Sequence, residues 1–220
     1  MTEDRWLSDL HWRRESQQTR SEKTQTALID AAEALIVEKG TDATSIADIA
    51  KRAGCSVGTV YHHFKDKKAL FFALFHRMTQ TFADLNRQAA DPALWKGASV
   101  RDLLGGYIDF MQHVRDEAAP TKAAVALVLA DNPELREHIA ELQREGRKAL
   151  LELVLARSGE IGHPDPEWAA AFVIDQLGAM LHARSDANQR IASILTIENE
   201  TFKREMLKFA ETVLGLGQSN

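Results

Sequence analysis

Apolar residues recur at helical spacing along almost the whole chain, and no stretch shows the alternation typical of a β-strand. The chain is therefore predicted to be all-α, with about nine helices. Long helices are expected over residues 19–39, 99–117, 132–157, 165–182 and 199–214, and from Asp66 to the break at Asp91-Pro92, with a short apolar helix at 121–130. Residues 187–197 carry no decisive pattern and form either a short helix or a loop.

Residues 44–70 contain two short amphipathic helices separated by a glycine turn. Ile46, Ile49 and Ala50 form one buried stripe, and Gly54 supplies the positive φ that the end of a helix often needs. Ser56 is a good N-cap for a second helix that runs through His63. Two helices joined in this way are typical of a helix-turn-helix, whose second helix enters the DNA major groove.

Composition and charge narrow the class of protein further. The chain has 220 residues, is 45% apolar and can bury a sizeable core, and it holds one cysteine, Cys55, which excludes an intramolecular disulfide. No apolar run is long enough for a membrane span and the first residues are charged, so a cytoplasmic protein is expected. The net charge of −5 argues against a protein coated in nucleic acid. Residues 44–68, however, carry an excess of lysine and arginine, as phosphate contact requires.

A series of short motifs accompanies the helical pattern. In order along the chain they are Glu38-Lys39-Gly40, Ala43-Thr44-Ser45-Ile46, Asp48-Ile49-Ala50, Ala53-Gly54, Ser56-Val57-Gly58-Thr59-Val60-Tyr61, His63-Phe64-Lys65, Lys67 and Ala69-Leu70. With these motifs at these spacings, residues 20–72 resemble the DNA-binding domain of the TetR family of bacterial transcriptional regulators. The resemblance implies a ligand-responsive regulator, by family default a repressor, that binds a palindromic operator as a homodimer and is released by a small effector.

The resemblance also implies which residues contact DNA. The hydroxyl of Thr44 or Ser45 caps the first helix of the helix-turn-helix, which is the second helix of the chain, and suits a phosphate. Tyr61 is expected to reach a phosphate through its own hydroxyl. Val57 offers no hydrogen bond, so it can read only a thymine methyl group or DNA shape. The alternatives are that Tyr61 only packs and that His63 is a buried linker. The expected set is Thr44, Ser45, Ser56, Val57, Gly58, Thr59, Tyr61, His62, His63 and Lys67.

Two consequences concern specificity and assembly. Ala47 stands where some family members carry a base-reading arginine, so specificity is expected to rest partly on DNA shape. One such module covers little DNA, and a dimer with recognition helices about 34–36 Å apart is expected. The apolar faces of the last two long helices are the candidate interface, with a purely intrachain core as the alternative. The candidate interface residues are Trp168, Phe172, Leu177, Phe202, Met206, Phe209 and Val213.

The remaining chain is expected to hold the effector. The predicted division is an extension at 1–18, a DNA-binding domain at 19–66 and an effector-binding and dimerisation domain at 67–220. The extension is either a frayed tail or a basic arm that touches DNA. By family implication, a mostly apolar effector of low charge lies among the helices between Leu70 and His182, although each lining residue is alternatively plain core. The candidate lining residues are Trp95, Tyr107, Phe110, Met111, His113, Gln176 and Met180.

Other classes of function find little support in the sequence. It contains no phosphate-binding loop, nucleophile elbow or Cys/His cluster at metal spacing, so no enzyme activity, cofactor or metal is expected. His62 and His63 are adjacent and cannot both face one metal from a helix. The alternative that remains is a helical ligand- or partner-binding module whose DNA-binding domain is vestigial.

Overall fold

The computed structural model describes residues 20–118, 121–130, 132–185 and 193–217, and the described chain contains α-helices, short 3₁₀ turns and no strand. The helices are α1 Arg20–Ala43, α2 Ile46–Arg52, α3 Val57–His63, α4 Lys67–Ala89, α5 Val100–Ala118, α6 Lys122–Ala130, α7 Pro133–Leu155, α8 Pro166–Ser185 and α9 Asn199–Leu214. Pro92–Trp95 and Ser158–Glu160 form the 3₁₀ turns. The all-α prediction is confirmed, and none of the described helices is long and apolar enough to cross a membrane.

The helix boundaries follow the local signals in the sequence. Asp66 caps α4, since its carboxylate accepts a hydrogen bond from the Ala69 amide at 2.7 Å. Asp165 caps α8 in the same way through the Trp168 amide, at 3.1 Å. Gly40 has non-helical angles (φ 82°, ψ 169°) and breaks α1 at the predicted place, although helical residues continue for one more turn to Ala43. Residues 193–197 of the unassigned segment are not helical, and 187–192 lie outside the described residues.

The described chain forms two compact units. The first unit takes the chain up to Leu85 together with Glu117–Glu141, and the second takes Asn86–Asp116 and the chain from Leu142 onward. Helices α4 and α7 therefore contribute residues to both units. The first unit extends past residue 66, so the predicted boundary at that residue concerns the helix-turn-helix alone and stays a prediction. Residues 1–18 lie outside the described chain, and their role also stays a prediction.

The core of the first unit is built around the helix-turn-helix. Helix α1 packs on α2, and α2 packs on α3. Val60 of α3 is fully buried and Phe64 retains 5% exposure, so the recognition helix is held by apolar anchors on one side. Apolar residues of α4, α6 and the start of α7 complete this core, namely Leu70, Phe71, Leu74, Phe75, Ala124 and Val128, with Leu135 and Ile139 partly buried against them.

Helix α5 contributes Val100, Leu103, Leu104 and Ile108 to the core of the second unit. The Gly105-Gly106 pair does not interrupt this helix, which runs unbroken from Val100 to Ala118. Gly106 serves packing instead, because a Cβ at this position would clash with the Trp95 ring. Arg157 fixes the turn that carries Trp95 by donating to the Trp95 and Ala98 carbonyl oxygens, each at 2.6 Å.

Candidate nucleic-acid interface

Side-chain caps define both helices of the helix-turn-helix. Ser45 caps α2 by accepting from the Asp48 amide at 3.1 Å, and the Asp48 carboxylate accepts in turn from the Ser45 amide, which completes a capping box. The turn to α3 uses Gly54 at φ +67°. Ser56 then caps α3 by accepting from the Thr59 amide at 3.1 Å. The recognition helix therefore begins at a defined residue, and its first turn has a fixed orientation.

The outer face of α3 is exposed to solvent. Val57 and Tyr61, one helical turn apart, are 41% and 55% exposed, and His62 is exposed beside them. A Cβ at Gly58 would meet only the Ser56 hydroxyl oxygen, at an ordinary 3.5 Å. Packing within the chain thus does not require glycine at this position, whereas close approach of an outside surface would.

The predicted contact residues divide into exposed and internal groups. The Thr44 side chain is 1% exposed and its hydroxyl donates to the Gly40 carbonyl oxygen at 2.8 Å, so the expectation that Thr44 contacts a phosphate is not supported. Ser45 is exposed and stays in the candidate set. Tyr61 is too exposed to be a packing residue. His63 is half-buried, and its ring centroid lies 5.2 Å from that of His62 and 6.4 Å from that of Phe64.

Lys67 holds the start of α4 against the turn that precedes α2. Its ammonium group donates to the Thr41 carbonyl oxygen at 2.8 Å and lies 5.3 Å from the centroid of the Phe71 ring. The side chain is half-buried, and its Nζ keeps two further donors. A phosphate contact by Lys67 would therefore have to be made in addition to this internal bond.

Several charges of the motif are already paired within the chain. Arg52 donates to Glu38 at 2.6 Å, and Lys39 donates to Asp48 at 2.7 Å. The hydrogen bond from Lys39, followed by those from Ser45, lowers the pKa of the Asp48 carboxyl to about 2, so Asp48 is ionised throughout the neutral range. Lys51 and Lys65 are exposed and have no ion-pair partner within the described part of the chain. These two lysines are cations of the surface that a phosphate can meet.

The predicted effector-lining residues all lie in the second unit, but they differ in burial. Trp95 and Phe110 retain 8% and 4% exposure and belong to the buried core, as the core alternative predicted. Tyr107, Met111 and Met180 are partly buried and pack against the core. The last two members, His113 and Gln176, are half-buried.

A polar cluster missed by the sequence analysis lies beside Tyr107. Burial raises the pKa of the Tyr107 hydroxyl, and the nearby Arg147 guanidinium opposes the shift. Arg147 also donates to the Asp175 carboxylate at 3.2 Å. A Cβ at Gly178 would stand 2.7–3.0 Å from three atoms of the guanidinium, so any larger residue there would displace the guanidinium. A glycine inside an otherwise helical pattern was the one available signal.

The predicted interface residues also separate by exposure. Leu177 and Met206 are 0% and 2% exposed and belong to the intrachain core, so we leave them out of the interface. Trp168 and Phe172 are 55% and 38% exposed and stack on each other, with ring centroids 5.2 Å apart and planes at 6°. The remaining three, Phe202, Phe209 and Val213, are partly buried against the core. We call the Trp168–Phe172 pair the aromatic stack.

Comparison with known proteins adds to this geometry. Residues 28–74 match the family model described as bacterial regulatory proteins, tetR family. The chain is 39% identical over 87 residues to the HTH-type transcriptional regulator BetI of Klebsiella pneumoniae (strain 342), a match that covers 39% of this chain and 45% of BetI. BetI of Escherichia coli (strain K12 / DH10B) matches at 38% over the same length, and the chain thus spans less than half of these curated relatives.

Solved structures extend the likeness to the whole fold. NalD, the secondary repressor of the MexAB-OprM multidrug efflux pump in Pseudomonas aeruginosa, superposes with a TM-score of 0.57 at 20% identity, covering 90% of this chain and 98% of NalD. The regulator PfmR of Thermus thermophilus gives a TM-score of 0.53 at 18% identity and covers 93% of this chain and 100% of PfmR. At these identities the likeness concerns the fold.

The capped and exposed second helix and the glycine turn define a helix-turn-helix, the architecture of a DNA-binding domain. Residues 28–74 thus match the tetR family of bacterial regulatory proteins, and the described fold is like that of NalD. That family is one of transcriptional regulators rather than enzymes. In the described residues, no group of three or more His, Cys, Asp or Glu side chains is placed to hold a metal ion.

Proposed function

We propose that the protein is a ligand-responsive repressor in the cytoplasm, which binds a palindromic operator as a homodimer and is released by a small, mostly apolar effector. The observation that carries the DNA-binding part is the exposed face of α3, on which Val57, Gly58, Tyr61 and His62 have no packing role. A phenol and an imidazole suit phosphate oxygens, while valine suits a thymine methyl group. Repression is proposed because NalD is described as a repressor.

The vestigial alternative accounts less well for this face. Both helices of the motif keep their serine caps, and the turn keeps its positive-φ glycine. An exposed tyrosine and an exposed valine on α3 give the fold no stability of their own, because their apolar surface stays in water. Their presence on a well-anchored helix supports an external partner.

We propose that dimerisation uses α8 and α9, with the aromatic stack at its centre. Two large exposed aromatic rings, stacked on each other, form an apolar surface of the kind that interfaces bury. Replacing Trp168 by serine should lower the association constant of the dimer in sedimentation-equilibrium experiments and weaken operator binding in parallel. The matched control is replacement by serine of Leu94, which also lies in the second unit and is 41% exposed. Equal dimerisation of wild type and the Trp168→Ser variant would contradict this interface.

We propose that the effector binds in the second unit, beside Tyr107 and Met111 of α5 and Met180 of α8. The helix α4 then carries the signal, because it contributes residues to both units. Within the first unit, Arg77 of α4 donates to both Asp30 and Glu33 of α1, and Lys67 donates to Thr41. The start of α4 would accordingly move together with the helix-turn-helix. The dimer can bind the operator only when its two recognition helices have the right separation. An effector that binds more tightly to a dimer with another separation shifts the population away from the operator-bound form.

Operator binding and its release test this proposal together. A labelled palindromic duplex from the region upstream of the gene is titrated with the protein at several salt concentrations, and compounds that raise the thermal midpoint are then added to the complex. We expect salt-dependent binding and release by mostly apolar compounds. If only highly charged metabolites raised the midpoint of thermal unfolding, the proposed class of effector would be refuted. If a compound released the operator without changing that midpoint, the proposed mechanism would be refuted.

A further inference from the structure

The Arg147 guanidinium has neighbouring groups on two other helices of the second unit, α5 and α8. It extends from α7, lies beside the Tyr107 hydroxyl of α5, and pairs with Asp175 of α8. A Cβ at Gly178 would be 2.7, 2.9 and 3.0 Å from its Nη2, Cζ and Nε atoms. The guanidinium therefore lies directly against α8 at Gly178. It carries five N–H donors, and its Nη1 donates to Asp175.

The present partner of Arg147 is a weak one. Asp175 takes one hydrogen bond, at 3.2 Å, and its side chain is 66% exposed, against 32% for Arg147. An ion pair with so solvated a carboxylate contributes on the order of 0–1 kcal/mol. A carboxylate that approached in the guanidinium plane would form two parallel hydrogen bonds, which is the stronger geometry for arginine. Asp175 is thus a partner that a better-placed anion can replace.

The groups around Arg147 suit a carboxylate attached to an apolar body. Burial keeps the Tyr107 phenol protonated at neutral pH, so its O–H can donate to an anion. Met111 and Met180, on the two helices that flank the guanidinium, are partly buried thioether side chains that pack on the apolar core of the unit. One cation and one neutral donor, with flexible apolar side chains on the same two flanking helices, match an amphiphilic acid better than a neutral or multiply charged molecule.

We propose that the effector of this protein is a monocarboxylate with an apolar body, whose carboxylate binds Arg147 and Tyr107 in place of Asp175. This inference rests on the proposed effector site and narrows its ligand class. It assigns Arg147 as the residue that distinguishes an acid from its amide, and Asp175 as the internal competitor of the ligand. Gly178 sets the position of the guanidinium.

A matched series of probes tests the ligand class on the full chain. Decanoate, 4-phenylbutyrate and indole-3-acetate are each compared with the corresponding primary amide, by thermal-shift titration and by release of operator duplex. We expect at least one acid to bind about tenfold or more tightly than its amide, since the amide lacks the charge. Binding of amides as tight as that of the acids, or binding of amides alone, would overturn the inference while leaving the proposed mostly apolar effector intact. Absence of binding by every acid at millimolar concentration would also overturn it.

Variants test the residues. Arg147→Met keeps the apolar stem and should abolish the preference for acid over amide, whereas Asp175→Asn removes the competitor and should tighten acid binding. Gly178→Ala should weaken acid binding at nearly unchanged thermal midpoint, because the added methyl group displaces only the end of a flexible side chain. Lys148→Met, at an exposed neighbouring position of α7, is the matched control. An unchanged acid preference in Arg147→Met, with intact operator binding, would contradict the assignment.

Discussion

The hydroxyl of Tyr61 allows DNA contact to be separated from stability. Tyr61→Phe removes one oxygen atom from a side chain that is 55% exposed, and no hydrogen bond within the described chain uses that oxygen. The free energy of unfolding should therefore stay within about 0.5 kcal/mol of wild type. If the hydroxyl donates to a phosphate, its loss costs about 1.5–3 kcal/mol of binding free energy per subunit. That corresponds to about a tenfold to hundredfold loss of affinity per subunit, since 1.4 kcal/mol is a factor of ten.

Val60, the neighbouring residue, provides the opposite pattern. Its side chain is fully buried, so Val60→Ala removes two buried carbons, worth about 1.6 kcal/mol in transfer alone, and leaves a small cavity. This variant should melt earlier and bind weakly only as far as it unfolds. Thermal melts and fluorescence anisotropy with labelled operator measure the two quantities on the same samples. Wild-type affinity of Tyr61→Phe at every salt concentration would refute the reasoning, as would a lowered melting temperature.

Three further changes test the local structure. Ser56→Ala removes the cap of α3 and should cost about 1 kcal/mol of stability, together with a loss of operator affinity that Ser56→Asn, which keeps an uncharged cap, restores. Gly106→Ala places a Cβ 2.4 Å from the Trp95 ring and should lower stability by about 1–3 kcal/mol in a denaturant titration, and unchanged stability would show that the ring can move away. The pKa of Asp48 is lower in the folded protein, about 2, than in the unfolded chain, near 3.9, so ionised Asp48 stabilises the fold above about pH 3.9 and this contribution is lost as the pH falls toward about 2. The melting temperature of the Asp48→Asn variant should therefore fall less over that pH range than the melting temperature of wild type.

Local signals predicted the helix-turn-helix well because its chemistry is local. The cap at Ser56, the turn at Gly54 and the buried side chain of Val60 each depend on residues within one helical turn. Thr44 and Ser45 could not be told apart in this way, since both carry a hydroxyl near the start of α2. The backbone decides: Ser45 adopts the extended angles of an N-cap, while Thr44 turns inward to Gly40.

Features that depend on distant contacts could not be predicted. Trp168, Phe172 and Leu177 all appear apolar on α8, yet the first two are exposed and the last is fully buried. Helical periodicity alone does not state which face a neighbouring helix covers. Arg147 was missed for the same reason, because its partners come from α5 and α8, far away in the sequence.

The most direct test of the central claim is the salt dependence of binding to a palindromic operator duplex. We expect two chains to bind each duplex, and the logarithm of the binding constant to fall linearly with the logarithm of salt concentration as phosphate contacts release counterions. Tyr61→Phe should bind the same duplex more weakly with its fold intact. Failure of the folded protein to bind any palindromic duplex from its upstream region at low salt would contradict the account.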